Sequence, residues 1–212
     1  MEKYVITISR RFASNGHAIA ARAGQLLGIP VYDRSEVEAR VSSLEGALTE
    51  ARESAADENT ADPARGTDAG RGRWMGLFHR EGREEAEDPA RTEFDRQCEV
   101  IRSLAEEGSC IIIGRCADEI FLDDPSALHV FIFASDEVRL KNGMELLHTG
   151  QEETKALIQN EDRAREEYRR RFARHADDEL AIRHLLINSG RLGVEESAAL
   201  IAHAAEHLFQ EP

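Results

Sequence analysis

Charged and polar side chains stand just after five apolar runs that we predict to be strands: Arg10, Asp33, Arg115, Asp136 and Asn188. In parallel α/β sheets, ligands bind beyond the carboxyl ends of the strands. Two arginines and two acids at separate strand ends are the arrangement expected of a site for a phosphorylated, metal-bound ligand. Ordinary turns are the alternative reading, because Asp and Asn are common in loops.

The first segment has the order strand, polar loop and helix that binds phosphate groups. Residues 4–9 predict a strand, residues 17–27 predict a helix, and the polar stretch RRFASNG lies between them. Ser14, Asn15 and Gly16 can turn the backbone so that its N–H groups face an anion at the helix N-terminus. The lysine of the motif GxxxxGK[ST] is absent, so an ordinary strand-to-helix turn explains the loop equally well.

The pattern of apolar residues predicts strands that alternate with helices, which is typical of a doubly wound, five-stranded parallel α/β sheet. Continuous apolar runs such as CIII and LHVFIF indicate strands that are buried on both faces. The predicted strands are residues 4–9, 29–32, 110–113, 128–133 and 184–187. The predicted helices are residues 17–27, 34–48, 94–107, 136–147, 152–174 and 194–208.

Bulk composition limits the classes of function. A length of 212 residues with 41% hydrophobic content predicts one domain over residues 1–212. A net charge of −14 disfavours nucleic acid as a partner, so a phosphate site must be a local basic pocket in an acidic surface.

Three cysteines without a CxxC pair indicate reduced thiols. No apolar segment reaches membrane-spanning length, and we expect a cytoplasmic protein without a membrane partner.

Residues 49–89 predict a flexible insertion, because Ala, Glu, Asp, Arg, Gly and Pro dominate there and little surface can be buried. Within it, residues 74–78 form an apolar island that holds Trp74, the only tryptophan. This island either anchors the insertion to its own domain, which we favour, or contacts a protein partner or a substrate.

Three stretches together resemble one family: ITISRRFASNGHAIAARAGQLLGIPVYD, FDRQCEVIRSLAEEGSCIIIGRCADEIF and LHVFIFASDEVRL. The family is that of the cytidylate kinase-like proteins, relatives of the nucleoside monophosphate kinases. The resemblance implies a P-loop kinase fold, with ATP on the first loop and a nucleoside monophosphate between the insertion and the strand ends. It also implies Mg²⁺, held mainly through the phosphates without a protein metal ligand, and CMP as the acceptor.

The chain departs from the family at the first loop. Family members typically have Gly-Ser-Gly-Gly-Arg where this chain has Ala13, Ser14, Asn15, Gly16 and His17. The usual lysine position falls on Gly16, and the family's arginine is replaced by His17. A nucleotide-binding sensor without useful kinase activity is therefore the second reading, and an interaction module with acidic helices and the Trp74 island is a third.

The resemblance assigns roles to residues of the first loop and of a helical lid at residues 151–175. Arg10 and either Arg163 or Arg165 are expected to act on the transferred phosphate. The predicted lid arginines have a structural alternative, because several form i,i+4 pairs with glutamates, as on any solvated helix. The residues expected to hold ATP are Arg10, Arg11, Ser14, Asn15, Gly16, His17 and Ala18.

The acceptor site is expected beyond the second and third strands in chain order. Arg115 follows Gly114 in the Gly-Arg pair that contacts the acceptor nucleotide in cytidylate kinases, and Asp118 matches the kinase-like branch. Arg139 is expected near the acceptor phosphate, with a helix-surface salt bridge as the alternative. Asp33 is expected to orient the acceptor or a metal.

Overall fold

The computed structural model describes residues 3–58, 88–175 and 181–209. Five strands form one sheet in the order β2-β3-β1-β4-β5, and every neighbouring pair is parallel. This confirms the doubly wound, five-stranded parallel sheet that the sequence predicts. The strands are β1 (Val5–Arg10), β2 (Val31–Tyr32), β3 (Cys110–Ile113), β4 (Ala127–Phe133) and β5 (Leu185–Asn188).

Seven helices connect these strands within the described residues. They are α1 (Gly16–Leu27), α2 (Arg34–Glu58), α3 (Pro89–Glu107), α4 (Ala117–Ile120), α5 (Asp136–Leu147), α6 (Gln151–Phe172) and α7 (Ser189–Phe209). The boundaries of α5 and the strand β3 agree with the sequence prediction. Helix α7 begins earlier than predicted, with a first turn that is separated from the rest by a kink at Gly193 (φ 71°).

Helix α2 continues ten residues beyond its predicted end at residue 48. The stretch TEARESAADE is rich in Ala, Glu and Arg, which favour helix even without an apolar face. The start of the predicted insertion at residues 49–89 is therefore helical. Helix α3 begins at Pro89, where the Asp88 side chain accepts a hydrogen bond from the Ala90 N–H. The remainder of that range, with the Trp74 island at residues 74–78, lies outside the described residues.

Both faces of the sheet are covered by helices. On one face, Ile8 of β1 packs in a fully buried cluster with Ile19 of α1 and Ile201 of α7. On the other, Ile112 of β3 packs with Ile101 of α3. Strand β1 lies at the centre, bonded to β3 and β4, so its carboxyl end emerges between the neighbouring strand ends.

Helix α6 is anchored to α3 by stacked aromatic rings. The rings of Phe94 and Phe172 stack with centroids 4.4 Å apart, and the Tyr168 ring lies 4.7 Å from that of Phe172. The Tyr168 hydroxyl donates to Oε1 of Gln97 at 3.1 Å. Helix α6, which covers most of the predicted lid at residues 151–175, therefore packs firmly beside the strand ends.

The cysteines are buried thiols without a disulfide: Cys98, Cys110 and Cys116. Burial raises the pKa of both Cys110 and Cys116 to about 12, so these thiols stay protonated at neutral pH.

Among the described helices, none has the length and apolar character needed to cross a membrane.

Candidate functional site

The loop between β1 and α1 is held in a fixed conformation through its carbonyl groups. Arg139 Nε donates to the carbonyl of Phe12 at 2.9 Å, and Asn142 Nδ2 donates to that of Ala13 at 3.0 Å. Ser189 Oγ donates to the carbonyl of Ser14 at 2.8 Å. Side chains from α5 and α7 therefore fasten the loop and turn its carbonyls away from the N-terminus of α1.

The N–H groups that follow in this loop find no hydrogen-bond acceptor among the described residues. The backbone amides of residues 13–18, which we call the amide row, have no hydrogen-bond acceptor among the residues that the structure describes. The first turn of α1 also carries no acidic side chain. Unpaired amides at a helix N-terminus form an anion site, because the helix dipole adds partial positive charge there. The amide row therefore has the geometry of a phosphate cradle.

Two residues in the loop adopt left-handed backbone conformations although they carry a Cβ atom. Ala13 has a φ of 58° and Asn15 a φ of 60°. These are the positions at which the resembling family has glycines. The loop therefore has, at these two positions, a backbone conformation that favours glycine.

We expect Ala13→Gly to raise the free energy of unfolding by about 1 kcal/mol. A left-handed residue with a Cβ costs roughly 1–2 kcal/mol, part of which is offset by glycine's greater freedom in the unfolded chain. Urea denaturation measures the change. Ala21→Gly is the matched control: Ala21 lies exposed in the right-handed helix α1, and the same exchange there should lower stability by about 1 kcal/mol. Similar losses in both variants would contradict the prediction.

A cavity of about 530 Å³ opens beside the amide row, between the carboxyl ends of β1 and β3 and the helix α6. We call it the arginine cavity. Its acidic lining residues are Glu161, Asp162 and Glu166. Its eight arginines are Arg10, Arg11, Arg34, Arg115, Arg165, Arg169, Arg170 and Arg183. In a chain of net charge −14, this is the local basic pocket that a phosphate site requires.

Carboxylates around the arginine cavity are shared between pairs of arginines. The buried Asp118 contacts both Arg169, at 2.8 Å, and Arg183. The further shared carboxylates are Glu38, which contacts Arg34 and Arg115, and Asp162, which contacts Arg11 and Arg139. Asp136 provides a second carboxylate for Arg139. The shared carboxylates thereby fix the positions of the arginines around the cavity.

Arg10 differs from the other lining arginines. Its guanidinium forms no hydrogen bond or ion pair with any residue that the structure describes, and its Nε is buried without a partner. Burial, with further contributions from Arg165 and Arg115, lowers the pKa of Arg10 to about 10, so the group stays charged at neutral pH. Arg10 is therefore a partly buried cation that forms no direct ion pair with a carboxylate of the described residues, although Asp33 and Glu161 act on its charge from a longer distance.

Arg115 and Arg165, which the sequence interpretation places in the site, lie close together in the structure. Arg115 lines the arginine cavity, with its guanidinium 5.2 Å from the centroid of the Tyr168 ring. Arg165 also lines it and donates to the Arg10 carbonyl at 3.1 Å. The structure thus brings the ends of β1 and β3 together with α6. Arg163 is exposed and is not among the lining residues, because two positions along a helix rotate a side chain by about 200°.

Three residues expected at the acceptor make contacts with other parts of the protein. Arg139 is buried against the loop and bonded to Phe12, Asp136 and Asp162, so it is not free to face an acceptor. The Asp118 carboxylate is enclosed by arginines and has no exposed surface. Asp33 caps helix α2, where its Oδ1 accepts from the Ser35 N–H at 2.8 Å.

The remaining predicted loop residues lie at or near the mouth of the site. Arg11 lines the arginine cavity with its side chain half exposed. His17 is exposed, with Nε2 3.8 Å from Oδ2 of Asp33. Partial burial and the nearby Arg10 lower the pKa of His17, so the imidazole is neutral at pH 7. Ala18 is exposed in the first turn of α1.

Sequence reasoning missed Arg34 and Arg183 as lining residues. Arg34 directly follows the strand-end residue Asp33, so the rule about strand ends could have selected it as a lining residue. Arg183 precedes β5 in the chain, and its long side chain reaches Oγ of Ser9 at 3.2 Å. No rule about carboxyl ends of strands would have selected Arg183.

The strand order and the loop between β1 and α1 define a protein with a P-loop kinase-like fold. The chain belongs to the cytidylate kinase-like family, whose sequence model matches residues 5–191. No curated protein matches the chain.

Two solved structures share the fold at low sequence identity. An uncharacterized protein from Eubacterium ventriosum is 19% identical, with a TM-score of 0.70 over 96% of this chain and 99% of that one. A shikimate kinase from Bacteroides thetaiotaomicron is 12% identical, with a TM-score of 0.51 over 97% of this chain and 99% of that one. At these identities the similarity concerns the fold alone.

Proposed function

We propose that this protein transfers the γ-phosphate of ATP to a nucleoside monophosphate, with CMP as the expected acceptor. The observation that carries the proposal is the pairing of two anion-binding features: the amide row at the N-terminus of α1 and the arginine cavity beside it. Phosphoryl transfer needs alignment and charge neutralisation more than covalent chemistry, and both features supply these.

On the donor side, the ATP phosphates lie on the amide row in the proposed complex. The open N–H groups of residues 13–18 fit phosphate oxygens, and the cradle itself needs no side chain. Arg11 adds charge from the outer side of the loop, where it lines the cavity. Mg²⁺, which spreads charge between the phosphates, is held mainly by those phosphates. Among the described residues, no group of three His, Cys, Asp or Glu could hold a metal.

On the acceptor side, Arg115 binds the phosphate of the monophosphate. It has a left-handed backbone (φ 57°) directly after β3, which directs its side chain into the arginine cavity. The Tyr168 ring packs against its guanidinium and restricts its motion. Asp118 acts as a positioning residue, because its carboxylate fixes Arg169 and Arg183 in the wall of the cavity.

Helix α6 provides the closing contact between the two sides. Arg165 donates to the Arg10 carbonyl, and its guanidinium lies 5.5 Å from the centroid of the Phe12 ring. In the proposed complex Arg165 reaches the transferred group from above the loop. Arg163, which faces away, serves at most the outer surface of the lid.

A coupled assay with ATP and each nucleoside monophosphate tests the proposal, together with calorimetry on the same ligands. Turnover with CMP or another monophosphate supports the kinase. Binding without turnover supports the nucleotide sensor, the reading favoured by glycine at the usual lysine position, Gly16. Absence of both binding and turnover overturns both readings and leaves the interaction module.

We expect Arg115→Ala to weaken the affinity for the acceptor monophosphate roughly 10- to 100-fold, because a hydrogen bond to a charged group contributes about 1.5–3 kcal/mol. Calorimetry with CMP, or with the monophosphate that binds best, measures the loss. Arg40→Ala is the matched control: Arg40 lies on α2, outside the cavity, with its side chain half exposed and paired with Glu107 at 3.2 Å. Unchanged monophosphate affinity in Arg115→Ala would show that the acceptor site is wrongly assigned.

A further inference from the structure

The Arg10 side chain runs through a narrow channel between two glycines. A Cβ atom at Gly16 would lie 2.8 Å from Cγ of Arg10 and 3.0 Å from its Cβ. A Cβ atom at Gly114 would lie 2.5 Å from Nη1 of Arg10. Contacts this short do not occur between real side chains. The stem of Arg10 therefore passes Gly16, and its guanidinium reaches the backbone beside Gly114.

Gly16 is also the position at which the P-loop motif has its lysine. The space that the first carbons of a lysine would need at that position is filled by the stem of Arg10. A lysine at position 16 and Arg10 in its observed conformation therefore exclude each other. The absence of the lysine and the presence of Arg10 are two aspects of one local arrangement.

The location of the Arg10 guanidinium suits the task of the missing lysine. Its stem starts beside the amide row at Gly16, and its tip lies next to Gly114, directly before Arg115. It thus spans the gap between the donor and acceptor sides. Among the described residues, Asp33 and Glu161 act on the charge of Arg10 only from a longer distance and form no ion pair with it, so its guanidinium can contact a ligand.

We propose that Arg10 replaces the P-loop lysine as the cation on the transferred phosphate, and that residue 16 is a glycine because the stem of Arg10 occupies the space beside it. The inference rests on the proposed function. During transfer, the bond between the γ-phosphorus and the bridging oxygen of ADP breaks, and its electron pair leaves with ADP. A phosphate oxygen of the acceptor forms the new bond, and no proton has to move, so a permanently charged arginine is sufficient.

The test compares Arg10→Met, Arg10→Ala, Gly16→Lys and the double variant Arg10→Ala/Gly16→Lys with the wild-type chain. ATP affinity is measured by calorimetry, turnover by the coupled assay, and thermal unfolding without ligand. Arg10→Met should weaken ATP binding at least 10-fold and slow turnover by about 10³-fold or more, as the loss of one arginine does in related chemistry. Arg10→Met should also raise the melting temperature by a few degrees, because an uncompensated, partly buried charge is removed.

The double variant is the decisive one. Gly16→Lys alone should lower the melting temperature, because the new side chain collides with Arg10. The double variant combines Gly16→Lys with Arg10→Ala, because alanine removes the Cγ atom that lies closest to position 16, whereas methionine would keep it. The lysine should then restore ATP affinity and turnover to at least 10-fold above the Arg10→Ala values. Arg10→Lys keeps the charge and should fall between wild type and Arg10→Met. Arg22→Met is the control for the loss of one positive charge, because Arg22 lies on α1 and is paired with Glu195.

Each contrary result has a separate meaning. A wild-type chain that binds no ATP overturns the proposed function. A wild-type chain that binds ATP, with Arg10→Met unchanged in affinity and turnover, overturns this inference alone. A double variant as weak as Arg10→Ala, or a melting temperature lowered by Arg10→Met as expected for a purely structural side chain, also overturns it.

Discussion

Asp118→Ala is expected to lower the free energy of unfolding by about 3–5 kcal/mol, because it deletes the carboxylate that forms two buried ion pairs. Asp118 has no exposed surface and contacts two arginines, Arg169 and Arg183, whose side chains are themselves almost fully buried. The alanine variant leaves both cations beside an emptied carboxylate site. Urea denaturation at pH 7 measures the loss as a lower midpoint with an unchanged slope.

Two comparisons locate the cause of this loss. Glu195→Ala removes a carboxylate from an exposed pair with Arg22, 2.7 Å away, and should cost less than about 1 kcal/mol. Asp118→Asn keeps the shape of the side chain but removes its charge, so most of the destabilisation should remain. A loss below about 1 kcal/mol in Asp118→Ala would mean that other groups neutralise the two arginines.

Lowering the pH from 7 to 5 is expected to reduce the free energy of unfolding by about 2 kcal/mol through His129 alone. Burial, reinforced by His184, lowers the pKa of His129 from 6.5 to about 4 in the folded protein. Between pH 6.5 and 4 the unfolded chain binds a proton that the folded chain excludes. Stability from this residue is therefore fully present above pH 6.5 and is lost as the pH falls toward 4, with a total of about 3 kcal/mol.

The difference between wild type and His129→Gln isolates this contribution. The imidazole Nδ1 of His129 lies 2.8 Å from Oγ1 of Thr7, and the glutamine amide can keep a hydrogen bond there without titrating. His17 also has a lowered pKa, so the wild-type curve by itself is not diagnostic. Urea denaturation at pH 7, 6 and 5 should give a shallower pH dependence for the variant. Parallel curves would place the titration elsewhere.

Local patterns in the sequence predict the sheet because they reflect local physics. The run CIII can only be a buried strand, and it forms β3 at the predicted residues. The first helix ends at residue 27, as predicted, and Gly28 follows it in a left-handed conformation (φ 66°). Arg10 and Arg115 meet at one edge because parallel strands bring their carboxyl ends together.

Long-range ion pairs could not be predicted in the same way. Asp118 and Arg139 matched positions of the family, but their partners lie far along the chain, at Arg169, Arg183 and Asp162. Spacing along the chain does not report which carboxylate a given arginine reaches. The same limitation hid the channel of Arg10, which depends on two glycines about a hundred positions apart.

A single helix, α6, contacts both the donor side and the acceptor side of the proposed site. A movement of α6 at one side is therefore transmitted to the other. At one point Asp162 accepts the Phe12 N–H at 2.8 Å, and less than two turns later Tyr168 reaches Gln97 on α3. A ligand that changes the tilt of α6 by displacing the loop at Phe12 must therefore also disturb the contact between Tyr168 and Gln97. Thermodynamic linkage then makes the effect reciprocal. If bound ATP changes the affinity for the acceptor by some factor in the proposed complex, the bound acceptor changes the affinity for ATP by the same factor.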